Sequence, residues 1–334
     1  MKTYLITGGA GFIGSNYIHY LMEHYKDEVR ILNLDALTYC ARRENVSCYE
    51  EDDSYRFIKG DIRKEALLAE IFAENSIDYV VHFAAHSHVD RSIQSPKEFA
   101  EVNVCGTLCL LEAARKAWEG NYNGRRFLYI STDEVYGELG ETGKFTESTL
   151  LCPRNPYSAS KAGGEHMARA YYETYGLPVL VTRCSNNYGP YQYQEKFIPN
   201  CIASCLTGTP IPVYGDGKNI RNWLYVADHL TAIDKVLAGG HTGEVYNIGG
   251  HKDYTNLEAV SAITGVLREK YRLNIPPVEF IEDRKGHDRR YSMDASKLKK
   301  ELGWSQEVSF EEGIEKTVTW YMENKEFLHL SGKN

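Results

Sequence analysis

Short apolar segments rich in β-branched and aromatic residues alternate with helical patterns through the first 183 residues, and this alternation admits few folds. The segments with strand character are residues 4–7, 29–34, 56–58, 79–83, 127–130 and 179–182. The segments with helical spacing include residues 13–25, 96–118 and 158–175. Because strands that alternate with helices form parallel sheets covered on both faces, the sequence predicts an α/β protein with a doubly wound parallel sheet.

The composition changes after Arg183, where glycine, proline and tyrosine cluster and turn signals recur. We therefore predict that residues 1–183 form the sheet domain. Residues 184–334 are expected to form mainly a smaller C-terminal substrate-binding lobe, with some segments returning to the first domain. No polar linker separates the halves, so we expect two lobes with a cleft between them. Residues 311–328 have the pattern of an amphipathic helix.

The charge balance and the apolar runs limit the classes of partner. The 38 Lys and Arg residues are outnumbered by 46 Asp and Glu residues, which disfavours generic binding to nucleic acid or to an anionic membrane. No apolar run reaches the ~20 residues that span a bilayer, and the N-terminus lacks the features of a signal peptide. The sequence therefore predicts a cytoplasmic protein without nucleic-acid or membrane partners.

Eight cysteines occur in the chain, and none of them forms a C-x-x-C pair. In a long chain without a signal peptide, we interpret them as reduced core residues and not as a disulfide framework. The spacing of thiol and imidazole side chains does not suit zinc, so we expect no metal site.

A glycine-rich turn follows the first predicted strand and leads into the first predicted helix. Gly8, Gly11 and Gly14 permit a tight turn, let backbone N–H groups approach a pyrophosphate, and allow the helix to pack on the sheet. Asp35 ends the second predicted strand, where an acid accepts hydrogen bonds from the ribose and repels a 2′-phosphate. These features predict a Rossmann sheet that binds NAD in preference to NADP. Asp61, after the third predicted strand, is a candidate for binding the adenine.

Tyr157 and Lys161 stand at the start of a predicted helix with i, i+4 spacing, which places them on one face. A nearby ammonium favours the phenolate, so this tyrosine is a candidate base toward an alcohol during hydride transfer. Together with the glycine turn, this pair resembles the extended short-chain dehydrogenase/reductase family over nearly the whole chain. The resemblance implies an NAD-dependent enzyme.

Two adjacent carboxylates, Asp133 and Glu134, follow Thr132 at the end of the fifth predicted strand. Such a pair offers both an acid and a base, because crowded carboxyl groups have different proton affinities. A regular strand would direct the two side chains to opposite faces. Both can act on one ligand only if the strand ends there and the backbone turns.

Further motifs at residues 87–92, 183–190, 221–226 and 283–288, together with the Thr-Asp-Glu triplet, resemble the nucleotide-sugar 4,6-dehydratases. This resemblance implies dTDP-glucose as the substrate. It assigns Tyr157 to the C4 hydroxyl proton and Thr132 to the C4 oxygen, and Lys161 to the nicotinamide ribose. Glu134 would remove the C5 proton, and Asp133 would protonate the leaving C6 hydroxyl.

The same resemblance implies the contacts with both ligands, and a homodimer in which the helices at residues 96–118 and 158–175 pair across a two-fold axis. Its further cofactor contacts are Phe12, Ile13, Asp35, Leu37, Thr38, Asp61, Ile62, Ala84, Ala85, Ser87 and Asn186. Its substrate contacts are Ser87, Thr132, Asn187, Lys196, Phe197, Pro212, Tyr214, Arg221, Asn256, Arg284 and His287. Arg221 and Arg284 suit a diphosphate because guanidinium is a planar, permanently charged fork.

The chain differs from the family that it resembles at several positions, none of which is assigned to the chemistry. His86 replaces the usual Glu and Lys285 the usual Pro, and further departures are Asn222, Ala227 and the Cys40-Ala41 pair. Two other functions remain open from the sequence. One is a related enzyme, either a 4-epimerase or a 4,6-dehydratase for a UDP-, CDP- or GDP-sugar. The other is a cofactor-sensing protein without turnover.

Overall fold

The computed structural model describes residues 1–328 and 330. Its strands are β1 Lys2–Thr7, β2 Val29–Asp35, β3 Tyr55–Lys59, β4 Tyr79–His82, β5 Arg126–Thr132, β6 Val179–Cys184, β7 Asn186–Tyr188, β8 Ile211–Tyr214, β9 Ile220–Tyr225, β10 Val245–Ile248, β11 Asp253–Thr255 and β12 Val278–Ile281. Its α-helices are α1 Phe12–Tyr25, α2 Glu65–Glu74, α3 Val89–Gln94, α4 Pro96–Ala100, α5 Thr107–Trp118, α6 Pro156–Tyr175, α7 Phe197–Thr207, α8 Val226–Gly239, α9 Asn256–Tyr271, α10 Ser296–Leu302 and α11 Phe310–Glu323.

Seven strands form one parallel sheet in the order β10-β6-β5-β4-β1-β2-β3. The chain winds outward in both directions from β1, so the predicted doubly wound sheet is confirmed. All six strands expected from the sequence belong to this sheet, with ends that differ by one or two residues. The seventh strand, β10, comes from the second half of the chain and pairs with β6.

Helices cover both faces of the sheet. Successive strand residues point to opposite sides, and both sets of side chains are apolar, so each face packs against helices. Ile6 packs in a core with residues of α1 and α8 on one face. Its neighbour Leu5 packs in a second core with residues of α2 and α5 on the other face. Strands that are apolar on both sides are typical of buried parallel sheets.

The C-terminal lobe has its own core and two small sheets. One sheet has the order β11-β9-β7, and the other pairs β12 with β8. Helices α7, α9 and α11 pack together beside them and enclose a third apolar cluster around Ile202 and Ile263. Of the residues in the described part of the chain, none belongs to a helix long and apolar enough to cross a membrane.

The predicted helix at residues 96–118 is confirmed as one uninterrupted helical segment, but it is not α-helical throughout. A π-helical turn, Glu101–Gly106, separates α4 from α5. The Asn103 side chain in this turn accepts a hydrogen bond from the His86 N–H (2.8 Å) and donates to the Ser160 hydroxyl (2.8 Å). The wider turn therefore places a polar side chain between the loop after β4 and helix α6.

Two other expectations are corrected. The terminal helix α11 ends at Glu323 and not at residue 328, because the Asn324 side chain bonds the Trp320 carbonyl and only a short 3₁₀ turn follows. The eight cysteines are free thiols, but Cys48, Cys105 and Cys152 are exposed and are not core residues. These three thiols lie on a 3₁₀ turn, on the π-helical turn and in a loop.

Candidate active site

A deep cavity opens at the carboxyl ends of the parallel strands, on both sides of the point where the strand order reverses between β1 and β4. Open α/β sheets bind ligands at this position because the loops diverge there. The cavity is lined by all five predicted catalytic residues and by most of the predicted cofactor residues. The latter are Gly8, Gly11, Phe12, Ile13, Gly14, Asp35, Thr38, Asp61, Ile62, Ala84, Ala85, Ser87 and Asn186.

The glycine turn forms a cradle that suits a pyrophosphate. Gly8 adopts a φ of +74°, and a Cβ there would lie 2.6 Å from the Ala84 nitrogen. A Cβ on Gly14 would lie 2.3 Å from the Gly8 oxygen, so α1 packs directly on the turn. Gly11 caps α1 without a side chain, and a Cβ there would meet only the Gly8 oxygen. The first N–H groups of a 14-residue helix therefore face the cavity without a side-chain cap.

Asp35 is positioned at the end of β2 by the backbone around it. Its Oδ2 accepts the Ala10 N–H at 2.9 Å, and its Oδ1 accepts the Leu37 N–H at 2.7 Å. Burial raises the pKa of Asp35, and the two hydrogen bonds oppose that rise. Leu37 itself does not line the cavity, and its contact with Asp35 is through its backbone. Asp61 lines the cavity and pairs with Arg63 at 2.6 Å.

The carboxylate pair lies where the strand stops. β5 ends at Thr132, and Asp133–Tyr136 form a 3₁₀ turn, so the condition for both carboxylates to act on one ligand is met. The Thr132 hydroxyl accepts the Glu134 N–H at 3.3 Å and donates to Asp133 Oδ1 at 3.2 Å. Asp133 is fully buried, whereas Glu134 is half-buried and accepts a hydrogen bond from Ser158.

The two carboxyl groups have different electrostatic surroundings. Burial and the charge of Glu134 raise the pKa of Asp133 to about 8. Burial also raises the pKa of Glu134, but three cations, Lys196, Arg221 and Arg284, oppose that rise. Asp133 therefore holds a proton at neutral pH and suits an acid, while Glu134 faces positive charge and suits a base.

Tyr157 and Lys161 face the same cavity from the first turns of α6. Lys161 Nζ donates to the Ile130 carbonyl at 2.7 Å and lies 4.3 Å from the centre of the Tyr129 ring. Burial lowers the pKa of Lys161 to about 8. Burial, followed by the charge of Glu134, raises the pKa of Tyr157 well above its usual range, so the expected lowering by the ammonium does not prevail.

Four predicted substrate residues line the cavity, namely Ser87, Thr132, Asn187 and Lys196. The other seven lie outside it in the C-terminal lobe: Phe197, Pro212, Tyr214, Arg221, Asn256, Arg284 and His287. Lys196 Nζ donates to the Ser87 carbonyl at 2.9 Å and joins the two lobes. The charges of Arg221 and Arg284 nevertheless act on Glu134, because both oppose the rise of its pKa.

The predicted substrate residues of the C-terminal lobe are held in position by contacts that the sequence did not indicate. Asp90 accepts hydrogen bonds from Tyr214 (3.2 Å) and from Arg284 (3.0 Å). Arg221 Nη2 lies 2.9 Å from His287 Nε2, and its guanidinium stacks over the Tyr291 ring. Asp90 lies in the motif at residues 87–92, but its role was missed because Tyr214 and Arg284 are far away in sequence. Tyr291 was missed because no local motif connects it with Arg221.

Several buried polar atoms of the cavity residues have no hydrogen-bond partner within the described chain. They are Ser131 Oγ, Asp133 Oδ2, Ser185 Oγ, Asn186 Oδ1, Asn187 Oδ1 and Gln192 Oε1. Buried polar atoms are normally satisfied, so this set indicates a polar ligand of extended shape. The cradle, Asp35 and these atoms together fit a dinucleotide. No group of three His, Cys, Asp or Glu side chains in the described residues is placed to hold a metal ion.

Comparison with known proteins identifies close relatives over the full site. The family model described as GDP-mannose 4,6 dehydratase matches residues 5–317. A dTDP-glucose 4,6-dehydratase of Xanthomonas campestris pv. campestris (strain B100) is 52% identical, covering 97% of this chain and 94% of the relative. The dTDP-glucose 4,6-dehydratase of Bacillus anthracis str. Ames, solved with NAD, is 46% identical with a TM-score of 0.88, covering 98% of both chains.

A second solved structure is similar to the same degree. The dTDP-glucose 4,6-dehydratase DesIV of Streptomyces venezuelae, solved with NAD and dTDP bound, is 46% identical with a TM-score of 0.90. The match covers 98% of this chain and 99% of that one. Similarity at this level extends over both lobes and over the cavity between them.

Proposed function

This chain belongs to the nucleotide-sugar 4,6-dehydratase family, and from that membership and its site we propose that it converts dTDP-glucose into dTDP-4-keto-6-deoxyglucose. The reaction is an NAD-dependent loss of water, so the protein is a hydro-lyase. The observation that carries the proposal is the Asp133–Glu134 pair in one 3₁₀ turn, with the acid buried and the base facing cations.

The glycine turn and Asp35 hold the dinucleotide. The N–H groups at the start of α1 bind the pyrophosphate, and the Asp35 carboxylate accepts bonds from the adenosine ribose. Bound there, NAD would supply the acceptor for the C4 hydride, and its reduced form would be the hydride donor for C6. Lys161 binds the nicotinamide ribose, which the position of its ammonium in the cavity supports.

Tyr157 and Thr132 act at C4. Tyr157 removes the proton of the C4 hydroxyl, and Thr132 bonds the C4 oxygen. Burial keeps the Tyr157 phenol protonated in the ligand-free protein. To act as a base, the phenol must therefore lose its proton when cofactor and substrate are bound. Its position in the cavity, which Thr132 also lines, supports this role.

Glu134 and Asp133 carry out the elimination. The 4-keto group acidifies the C5 proton, which Glu134 removes. Asp133, protonated at neutral pH because its pKa is raised, gives its proton to the departing C6 hydroxyl. A proton returns to C5 when the hydride reaches C6, which completes the 6-deoxy product. A positioned acid or base contributes typically 10²–10⁴-fold to rate.

The C-terminal lobe binds the nucleotide diphosphate. Arg221 and Arg284 are the cations for its two phosphate groups. The Arg221 side chain is held in position by His287, and the Arg284 side chain by Asp90. Tyr214, which lies under the Arg284 guanidinium at 4.6 Å, contributes an apolar face beside the same group. The lobe thereby places the sugar at the carboxylate pair.

We further propose that the protein acts as a homodimer in the cytoplasm, in which the helical segments at residues 96–118 and 158–175 pair across a two-fold axis. Met167 and Tyr175 support this arrangement, because each is a large hydrophobic side chain of α6 that is more than one-third exposed. Light scattering coupled to size-exclusion chromatography tests the stoichiometry. A monomer at micromolar concentration would contradict the proposal.

The decisive test of function is a panel of dTDP-, UDP-, CDP- and GDP-glucose with the purified protein. We expect a 4-keto product, detected by its absorbance in alkali, with dTDP-glucose as the fastest substrate. Extensively washed protein should release NAD on denaturation, because a closed redox cycle retains its cofactor. Absence of keto product from every sugar would contradict the dehydratase assignment, and a faster reaction with another nucleotide would change the substrate.

A further inference from the structure

Tyr136 closes the 3₁₀ turn that carries the carboxylate pair, and it is tied to the rest of the protein by its hydroxyl. The side chain is buried, and its ring stacks on Phe145 with centres 4.7 Å apart. Its hydroxyl donates to Asn247 Oδ1 at 2.7 Å and accepts from Arg183 Nη1 at 2.6 Å. Neither bond reaches the cavity, so the hydroxyl fixes the turn from behind.

Arg183 continues this connection to the helix that carries the other half of the site. It lies in β6 and pairs with Glu165 of α6, with both side chains almost fully buried. The Arg183 Nη2 to Glu165 Oε1 distance is 2.5 Å, and the Arg183 Nε is within 3.2 Å of both carboxylate oxygens. Glu165 stands one helical turn after Lys161 and two after Tyr157.

A buried ion pair is weak evidence for stability, because removing two charges from water costs free energy that the pairing only offsets. Such pairs are better explained where they fix one arrangement of elements. Here Glu165, Arg183 and Tyr136 join α6, β6 and the 3₁₀ turn in one buried chain of contacts. The far end of the turn is also fixed, since a Cβ on Gly137 would lie 2.1 Å from the Cys152 oxygen.

We propose that Tyr136 is a positioning residue, which sets the Asp133–Glu134 turn against the Tyr157–Lys161 helix through Arg183 and thereby governs elimination. The inference rests on the proposed function. Loss of the Tyr136 hydroxyl frees the turn but leaves α6 in place. Misplacement of a reacting group by about 1 Å can cost 10²-fold in rate, so elimination is affected while oxidation at C4 is not.

Tyr136→Phe tests this directly because it retains the stacked ring and removes only the hydroxyl. Arg183 Nη1 still has the Glu147 carbonyl at 3.2 Å, so its charge is not left without partners. The matched control is Tyr246→Phe, which removes a hydroxyl that also makes two hydrogen bonds, to Glu301 and to the His241 N–H, neither of which belongs to the turn.

In a single turnover with dTDP-glucose, we expect Tyr136→Phe to form bound NADH within about twofold of the wild-type rate and to lose water at least ~10-fold more slowly. Tyr246→Phe should perform both steps normally. Equal slowing of both steps in Tyr136→Phe, or no slowing of either, would overturn the proposal. A wild-type protein that does not dehydrate dTDP-glucose would instead contradict the proposed function.

A second measurement does not depend on turnover. The carboxyl carbon of Asp133, labelled with ¹³C and observed by NMR without substrate, reports the surroundings of the turn. We expect Tyr136→Phe to shift its titration midpoint and Tyr246→Phe to leave it unchanged. Identical titrations in the wild type and Tyr136→Phe would show that the hydroxyl does not position the turn.

Discussion

Asp133→Asn isolates the acid of the elimination step, and its consequence depends on pH. The amide keeps the size of the side chain but has no acidic proton to give to the C6 hydroxyl. We therefore expect water loss to slow by about 10²–10⁴-fold near neutral pH. The difference from the wild type should shrink as the pH rises, because the wild-type acid loses its own proton.

The magnitude follows from the raised pKa of Asp133, about 8. At pH 7 about 0.9 of the Asp133 carboxyl groups are protonated, and at pH 9 about 0.09. The ratio of wild-type to Asp133→Asn rates should therefore fall about tenfold between these values. Taking this ratio cancels the titration of Lys161, whose pKa is also about 8.

The assay follows water loss in single turnovers with dTDP-glucose from pH 6 to pH 9.5. Asp228→Asn is the control, because Asp228 is another buried carboxyl with a raised pKa, and it binds the N–H groups of Glu307 and Val308 away from the cavity. Its ratio should not change with pH. A flat ratio for Asp133→Asn would refute the role of an acid, and a ratio that falls toward low pH would make Asp133 the base.

Three further changes test the rest of the site. Asp35→Ala leaves two backbone N–H groups without their acceptor and removes the ribose contact, so calorimetric titration should show weaker NAD binding and less discrimination against NADP; an unchanged preference would remove Asp35 from the site. His86→Glu should keep turnover within about tenfold, about 1.4 kcal/mol, since the neighbouring Glu98 is exposed and can move away; a loss of several orders of magnitude would give His86 a chemical role. Tyr157→Phe should form no bound NADH on mixing with substrate, and normal absorbance of NADH would identify another base.

The parts of the site that the sequence predicted are those whose geometry is set by neighbouring residues. A glycine turn between a strand and a helix has one favourable conformation, and an acid at the next strand end falls beside it. The turn at Asp133 and Glu134 could be anticipated in the same way, as the only backbone course that brings both carboxylates to one ligand. Each of these features depends on a few consecutive residues.

The parts that the sequence did not predict depend on contacts between distant residues. Asp90 accepts hydrogen bonds from Tyr214 and Arg284, which lie 124 and 194 residues further along the chain. The π-helical turn in residues 96–118 carries Asn103, whose partners His86 and Ser160 lie 17 and 57 residues away in the chain. The raised pKa of Tyr157 could not be predicted from the sequence either, because its main cause is burial, which depends on the whole fold.

The seventh strand has a consequence for how the protein is made on the ribosome. β10 covers the edge of β6, yet residues 185–244 are translated between them. At 5–20 residues per second, the β6 edge stays unpaired for roughly 3–12 s during synthesis. An uncovered edge strand can pair with other chains, so this interval is when the nascent protein is most exposed to aggregation. Binding of NAD to the finished half cannot close this edge, since only translation of the second lobe supplies the missing strand.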